Sequence, residues 1–445
     1  MTLTQSSASD LADQRTRQVL LTQPSVQQLV IDSPPGAGKT GVAERVAVQG
    51  AWLQGEKVMI ATQTKAQSLD LVERLASGWP SREVYLFAKQ GMNIPDEIKA
   101  MGNAKVITSL NSLPSSPHIV VANAAKWSYA KECHFDLLIV DEAYQLRDSQ
   151  FVQIAGLATR HVLVGDPGQI APVVSADVSQ WRNMPDGPQV PAPQALLARR
   201  PDHALRMTLP SSRRLPADTV DYVQPAFYPQ LPFTATSRLG DRLLLPGQGD
   251  SHRWDEVIDK AGSGATLLMA ELPARSTGEF DDQLSAEIAG LALRLLERGT
   301  EMLDDGQTIA LTPQQIGVVC AHRSQVYSVQ QRLGKELEGV YVETADRYQG
   351  LERRVMIAHH PLSGRMTLSD FQLDSGRLCV MTSRHRVCCF LLARAGLAER
   401  LGALSPSVER VLGLAEDPAH QGRYAHRSLL QKLSEHKRIV PVSLS

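Results

Sequence analysis

The segment Ser33-Pro34-Pro35-Gly36-Ala37-Gly38-Lys39-Thr40 follows the apolar run Leu29–Ile31 and precedes the helix-spaced stretch Gly41–Gln49. A strand, a glycine-rich turn and a helix start, in that order, form a cradle for phosphate. Glycines let backbone N–H groups turn inward around phosphate oxygens, and the helix N-terminus adds its dipole. Pro35, Gly36, Ala37 and Gly38 supply the wall of that cradle, Lys39 the cation for the β- and γ-phosphates, and the Thr40 hydroxyl a ligand for Mg²⁺. The spacing matches G-x-x-x-x-G-K-[ST] except at its first position, which is Ser33. The nest is made by the later residues, so the exception leaves the chemistry in place.

Two further strand ends carry polar groups. Leu137-Leu138-Ile139-Val140 runs into Asp141-Glu142. Asp141 is placed to hold Mg²⁺ through water and Glu142 to orient and deprotonate an attacking water, the two tasks that phosphoanhydride hydrolysis sets. By itself an Asp-Glu pair after an apolar run is as often a plain strand terminus; downstream of a phosphate loop it gains meaning. Val162-Leu163-Val164 runs into Gly165-Asp166-Pro167-Gly168-Gln169, where the Gln169 amide is suited to sense a γ-phosphate. Ligands of parallel sheets sit at such carboxyl ends.

The elements that must position these groups alternate along the chain. Leu29–Ile31, Val58–Ala61, Val84–Phe87, Ile119–Ala122, Leu137–Val140 and Val162–Val164 read as buried strands, with Gly41–Gln49 and Ala66–Leu75 as helices. That rhythm predicts an α/β fold with a parallel sheet covered by helices. Between Met184 and Pro216 six prolines read as a surface connection. A second series follows: strands at Ala265–Leu272, Ile316–Ala321, Val340–Thr344, Val355–His359 and Cys388–Ala393, and helices at Gln283–Arg298 and Gln325–Leu337. Beyond Ser405 the chain is polar, with one helical stretch at His426–His436, and reads as a packing or frayed end.

Composition narrows the class. Of 445 residues, 46 are Lys or Arg and 47 Asp or Glu, a net charge of -1, which excludes a polycationic binder but not a local basic groove. Five cysteines (Cys133, Cys320, Cys379, Cys388, Cys389) form no C-x-x-C pair, so no zinc ribbon is expected, and reduced thiols in a cytoplasmic setting are. No apolar run is long enough to span a membrane, and the polar start from Met1 to Gln18 lacks a secretory core.

Taken in order, the motifs resemble those of superfamily 1 helicases, in particular the Upf-like 5′-to-3′ branch, over most of residues 30 to 395. Ser33–Thr40 resembles motif I, Ala61-Thr62-Gln63-Thr64 motif Ia, Val120-Val121-Ala122-Asn123 motif Ic, Asp141-Glu142-Ala143-Tyr144 motif II and Gly165–Gln169 motif III. Ser212-Arg213-Arg214-Leu215-Pro216 resembles the family's Q-Y-R-M segment. Ile316–Arg323 with Gln325, Thr344–Glu352 and Arg377–Arg386 resemble the later motifs, the last two being motifs V and VI.

The resemblance implies two tandem RecA-like lobes with parallel sheets and an ATP site in the cleft between them. Residues 1–28 would be an N-terminal segment, 29–200 the first lobe, 201–403 the second and 404–445 a C-terminal tail. It implies that Arg214 and Arg384 are arginine fingers, which spread positive charge over the γ-phosphate as its bond breaks. Gly350 and Glu352 would line the nucleotide side, and Arg213 stands where many relatives stack a tyrosine on adenine. Thr62, Thr64, Asn123, Arg323 and Thr344 would contact a single strand of DNA or RNA, mostly through its phosphates, although threonines and an arginine at such places also serve as ordinary caps or surface groups. The expected activity is nucleic-acid-dependent ATP hydrolysis driving translocation or unwinding, with an ATP-gated switch for nucleic acid or protein partners as the alternative. Little chain is left between motifs for inserted domains, so weak unwinding is expected.

Overall fold

The computed structural model describes residues 8–443, apart from 132, 173, 175–176, 182–183, 280, 366, 406–409 and 412–414. Its contacts divide the chain into two units, Met1–Pro167 with Ala171–Pro210, and Gly168–Ile170 with Ser211–Ser445.

The first unit is built on eight strands: β1 (Gln28–Asp32), β2 (Lys57–Thr62), β3 (Val84–Phe87), β4 (Ala104–Ile107), β5 (His118–Asn123), β6 (Phe135–Val140), β7 (Ala158–Gly165) and β8 (Ala204–Thr208). Their spatial order is β4-β3-β5-β2-β6-β7-β1-β8, and every pairing is parallel. A parallel sheet is covered on both faces, so its central strands are continuous apolar runs rather than alternating ones. Leu29, Val30, Ile31, Leu137, Leu138, Ile139 and Val140 are all without solvent exposure. Apolar residues of helices α2 (Lys39–Val48) and α3 (Lys65–Gly78), among them Val42, Val46, Leu71 and Leu75, pack against one face. The carboxyl ends of β2, β6, β7 and β1 therefore lie side by side.

Two sequence expectations change here. The proline-rich stretch is not merely a connection: it contains a helix, Ala192–Arg199, and the edge strand β8, whose Met207 pairs with Ile31 of β1. Prolines are compatible with this because Pro193 lies in the first turn of that helix, where an N–H is not needed. Expecting the second lobe to begin at 201 separates β8 from the sheet it completes. Upstream, α1 (Ala8–Thr22) is tied to the same unit, with Val19 buried and Arg15 Nε–H donating to the Thr208 carbonyl at 3.0 Å.

The second unit has a six-stranded, all-parallel sheet in the order Tyr341–Thr344, Ile316–Cys320, Arg353–His359, His385–Arg394, Leu267–Leu272, Ile439–Pro441. Its last strand comes from the segment read as a polar tail. The helix Pro418–Glu435 before it presents Ala425, Leu429, Leu430 and Leu433 to a buried face, and the three leucines pack on the core that includes Tyr222 and Leu378. Truncating one such leucine to alanine costs about 2–5 kcal/mol, so this segment belongs to the core. A small antiparallel sheet, Arg242–Leu245 with Glu301–Asp304 and Gln307–Ala310, completes the unit. Among the described residues no helix is long and apolar enough to cross a membrane.

Candidate functional site

The phosphate cradle follows directly from β1. Ser33, buried, donates its N–H to the Gly165 carbonyl at 2.8 Å, which pins the loop to the end of β7. Gly36 and Gly38 adopt φ of 72° and 83°, the left-handed region that glycine enters without strain. Gly38 is the N-cap of α2 and no side chain caps that helix, so its first turn offers backbone donors to an anion.

Lys39 and Thr40 open α2 opposite the acids that follow β6. The Lys39 ammonium lies 3.2 Å from Glu142 Oε1. Asp141 accepts from the Glu142 N–H at 3.0 Å and is hydrogen-bonded by the Thr40 side chain. Burial first, and the neighbouring Glu142 charge second, push the Asp141 carboxyl up to about 6, against the pull of Lys39 and these hydrogen bonds. Buried carboxylate with an adjacent hydroxyl is the hard, all-oxygen donor set that suits Mg²⁺, an ion that keeps several waters and is held by few protein groups. The residues present fit both the metal and a phosphate chain. Glu142 itself has φ 54° and ψ 42°. A non-glycine residue there costs of order 1–3 kcal/mol, the kind of strain that collects at working sites.

A network that the motifs did not reveal, buried at Asp32 and Tyr144 and exposed at Arg206, holds this centre. Tyr144 donates its hydroxyl to Asp32 Oδ1 at 2.6 Å, and Arg206 of β8 donates Nε–H to Asp32 Oδ2 at 2.5 Å. Burial and then the Asp32 charge push the Tyr144 phenol well above its ordinary value, so it stays a donor. The residue before the cradle, the acid motif and the edge strand are thereby joined. A carboxylate ending the otherwise apolar strand β1 was the available signal.

The residues expected to touch a nucleic acid divide into two groups. In the first unit each is engaged in its own loop. The buried Thr62 hydroxyl is bonded to Ser68 Oγ at 2.7 Å and to the Thr64 carbonyl at 3.0 Å. Thr64 caps α3 by accepting from the Gln67 N–H, and Asn123 caps the turn Ala124–Trp127 by accepting from the Lys126 N–H at 2.8 Å. In the second unit Arg323 and Thr344 are brought together at a cavity of about 260 Å³, with His322, Asp346, Arg347 and Phe371 also on its wall.

The second-unit residues expected on the nucleotide side also converge. Arg214 donates Nε–H to Glu352 Oε2 at 2.6 Å, and its guanidinium reaches the Ser383 carbonyl next to Arg384. Burial acts to raise the Glu352 carboxyl, but the Arg214 charge and hydrogen bond, followed by Arg386 and Arg384, hold it below its ordinary value. Arg384 is wholly buried, whereas Arg213 is exposed. Gly350, at φ 83°, makes the turn before Glu352. Gln169 is buried in the short segment that groups with this unit.

Comparison with known proteins adds the following. Two family models match the chain, each described as an AAA domain, at residues 12–184 and 286–396. The DNA replication ATP-dependent helicase/nuclease dna2 of Schizosaccharomyces pombe is 24% identical over 295 residues, 64% of this chain. The chain spans 20% of the length of that relative. Among solved structures, Arterivirus nonstructural protein 10 (helicase) with DNA is 13% identical, with 85% of this chain and 63% of that chain covered and a TM-score of 0.44. A Pif1 helicase structure is 13% identical, with 88% and 92% covered and a TM-score of 0.42. Families of this kind use a nucleotide and typically a metal ion. With its motifs in order from Ser33–Thr40 to Arg377–Arg386, on two all-parallel sheets that each carry an AAA domain match, the chain is similar to the superfamily 1 helicases.

Proposed function

We propose that the chain is an ATP hydrolase stimulated by single-stranded nucleic acid, DNA or RNA, along which it moves as a translocase or helicase. The observation that supports this most is the meeting of Lys39, Thr40, Asp141 and Glu142 where the carboxyl ends of β1 and β6 meet the start of α2. Thr40 and Asp141 would hold Mg²⁺, which when bound neutralises phosphate charge. Lys39 turns from Glu142 to the phosphates as ATP arrives, and the Glu142 carboxylate is then open to take a proton from the attacking water. Gln169 senses the γ-phosphate, and Arg213 stacks on the base. Arg214, braced by Glu352, and Arg384 act as the arginine fingers. The 5′-to-3′ direction rests on the branch that the motifs resemble. A reducing, cytoplasmic setting is supported by five free cysteines, four of them buried.

The deciding experiment is the ATP hydrolysis rate of the purified chain with and without mixed-sequence single-stranded DNA and RNA. Stimulation by at least one of them is expected. Hydrolysis that neither polymer alters, over a range of strand lengths and salt, would remove the nucleic-acid role.

A further inference from the structure

We propose that Tyr144 is a positioning residue for hydrolysis: through its bond to Asp32 it holds Glu142, two residues earlier in the chain, at the angle from which the carboxylate meets the attacking water. The inference rests on the reading of Glu142 as the base and adds the group that fixes it in place.

Glu142 has a backbone conformation that a residue with a side chain does not favour, φ 54° and ψ 42°. Such a conformation persists only where the surroundings impose it. The chain before Glu142 is fixed twice. The Asp141 N–H donates to the Ala61 carbonyl at 3.0 Å, and the Gln63 side-chain amide donates to the Asp141 carbonyl at 3.3 Å. These two bonds set the peptide plane that enters Glu142. The chain after it is one tight turn of 3₁₀ type, Ala143–Gln145. Hydrogen bonds of such a turn have poor geometry, so the turn does not hold its flank by itself. Tyr144 is its middle residue and its tether.

Two contacts set Tyr144. Its phenol is 5% exposed and donates to Asp32 Oδ1 at 2.6 Å. The backbone of the turn lies against Gly165, where a Cβ would come within 2.8 Å of Tyr144 Cδ2, 2.9 Å of the Tyr144 nitrogen and 3.0 Å of the Ala143 nitrogen. Only a residue without a side chain lets the turn settle so closely on β7. Asp32 is fixed in its turn. Its other carboxylate oxygen takes the Arg206 Nε–H at 2.5 Å, its carbonyl takes the Leu209 N–H at 2.8 Å, and the next residue, Ser33, begins the cradle. Tyr144 thus refers the position of Glu142 to the residue from which the phosphate loop starts. Base and phosphates are set from one fixed point, and a reaction that loses about 10²-fold for 1 Å of misplacement depends on that.

The test uses the full chain, with or without a single strand, under the condition that gives the faster ATP hydrolysis. Tyr144→Phe keeps the ring against Gly165 and removes only the bond to Asp32. Its kcat should fall about 10-fold or more, with KM for ATP within about 3-fold, because the cradle and Lys39 are untouched. Asp32→Ala should lower kcat at least as far. Adding Tyr144→Phe to Asp32→Ala should lower kcat no further, since the two side chains act as one unit. Ile154→Val, a buried truncation on the helix Asp148–Ala155, loosens the same unit without touching the tether and should leave kcat within about 2-fold. A folded Tyr144→Phe protein with wild-type kcat overturns the positioning role. So does a kcat loss that Ile154→Val reproduces, or losses from Tyr144→Phe and Asp32→Ala that multiply. Normal turnover by Glu142→Gln overturns the parent reading of the base, and the positioning role with it.

Discussion

Arg242 Nη2–H donates to the main-chain carbonyl of Arg213 at 2.9 Å, and Nη1–H to the carbonyl of Arg214. Arg242 is 3% exposed and is itself held by Asp305, at 2.9 and 2.8 Å, and by Asp304 at 3.4 Å. The small antiparallel sheet thus grips the backbone that carries the proposed finger Arg214. Asp304 also takes Arg354 and Arg386, so the same carboxylate anchors the strand that follows Arg384. Arg242→Lys keeps the charge but loses the fork that spans two carbonyls. We expect kcat for ATP hydrolysis to fall about 10- to 100-fold, since misplacing a reacting group by about 1 Å costs on that scale, with KM for ATP within about 3-fold. Arg242→Met, which leaves both aspartates on Arg386 but strips the carbonyls of Arg213 and Arg214 of their side-chain donor, should instead destabilise the fold by about 1–3 kcal/mol. Steady-state kinetics beside a melting curve separate the two effects; an unchanged kcat in a folded Arg242→Lys protein would remove the positioning role.

The Lys39–Glu142 pair makes a prediction with two signs. Glu142→Gln removes the proposed base and also the carboxylate that holds Lys39. Turnover should fall by about 10²-fold or more, while ATP affinity stays equal or tightens. Lys39→Ala should lose both. Single-turnover hydrolysis and equilibrium nucleotide binding measure the two quantities, and a Glu142→Gln protein that turns over normally would show that another group takes the proton.

Arg214→Ala and Arg384→Ala are expected to lower kcat by about 10³-fold, with smaller effects on ATP binding, because transition-state charge exceeds that of bound ATP. Glu352→Gln should lower kcat less, as Arg214 keeps its charge and loses only its brace at 2.6 Å. If either arginine variant binds ATP poorly yet hydrolyses it normally at saturation, that arginine is a ground-state ligand only.

What could be read beforehand follows from physical range. The cradle and the acid pair were legible because each is a short polar sequence at the end of a continuous apolar run, and a parallel sheet brings such ends together. Asp32, Tyr144 and Arg206 were not, because they meet across 112 and 174 positions and each alone looks like an ordinary polar residue. Arg242 and Asp304 escaped for the same reason. Strand β8, with its alternating Ala204-Leu205-Arg206-Met207-Thr208, lies at a sheet edge, where one flank is unpaired and the apolar run is diluted. The chain end hid a core helix because its buried leucines share their face with His426 and alternate with Arg, Gln and Lys on the other faces.

Four buried histidines in the second unit make it acid-labile. Burial holds His359, His385 and His426 down at about 3 and His360 well below its ordinary value. The neighbouring charges do not reverse this: Asp281 opposes it at His359, Arg365 and Arg394 add to it there, Arg400 and the other histidines add at His360, and Arg214 and Arg242 at His385. The unfolded chain therefore binds more protons, and stability is lost as pH falls below about 6.5 and continues to fall toward about 3. At pH 5 each of His359, His385 and His426 costs about 2 kcal/mol, from about 1.5 pH units at 1.36 kcal/mol each, and His360 acts in the same direction. Urea midpoints between pH 7.5 and 5 should drop steeply, and His426→Met should flatten the slope by about one proton. A pH-independent midpoint would mean that the histidines are reached by water in the folded chain.

The final prediction concerns strand separation. Splitting a duplex takes a surface that follows the moving unit and blocks one strand, and such surfaces are commonly carried on inserted domains. Between Thr64 and Val120 the chain is consumed by α3, β3, β4 and their connections, all part of the first sheet and its cover. Between Arg214 and Arg323 the described residues form the helices Ala217–Phe227, Asp255–Gly262 and Asp282–Glu297, the core strands Leu267–Leu272 and Ile316–Cys320, the short strand Thr234–Ala235 and the small three-stranded sheet. That small sheet is already committed through Arg242 to holding the finger segment, so the described residues there hold no independent inserted domain. We therefore expect strand-stimulated ATP hydrolysis and movement on single strands, with little separation of long duplexes by this chain alone. Duplexes of equal length bearing a 5′ or a 3′ single-stranded tail test both halves of the statement. Efficient separation of long duplexes defeats the argument from compactness, because the finger-holding sheet would then have to serve as the wedge as well. Activity from the 3′ tail alone reverses the direction assigned by resemblance and leaves the hydrolytic centre as described.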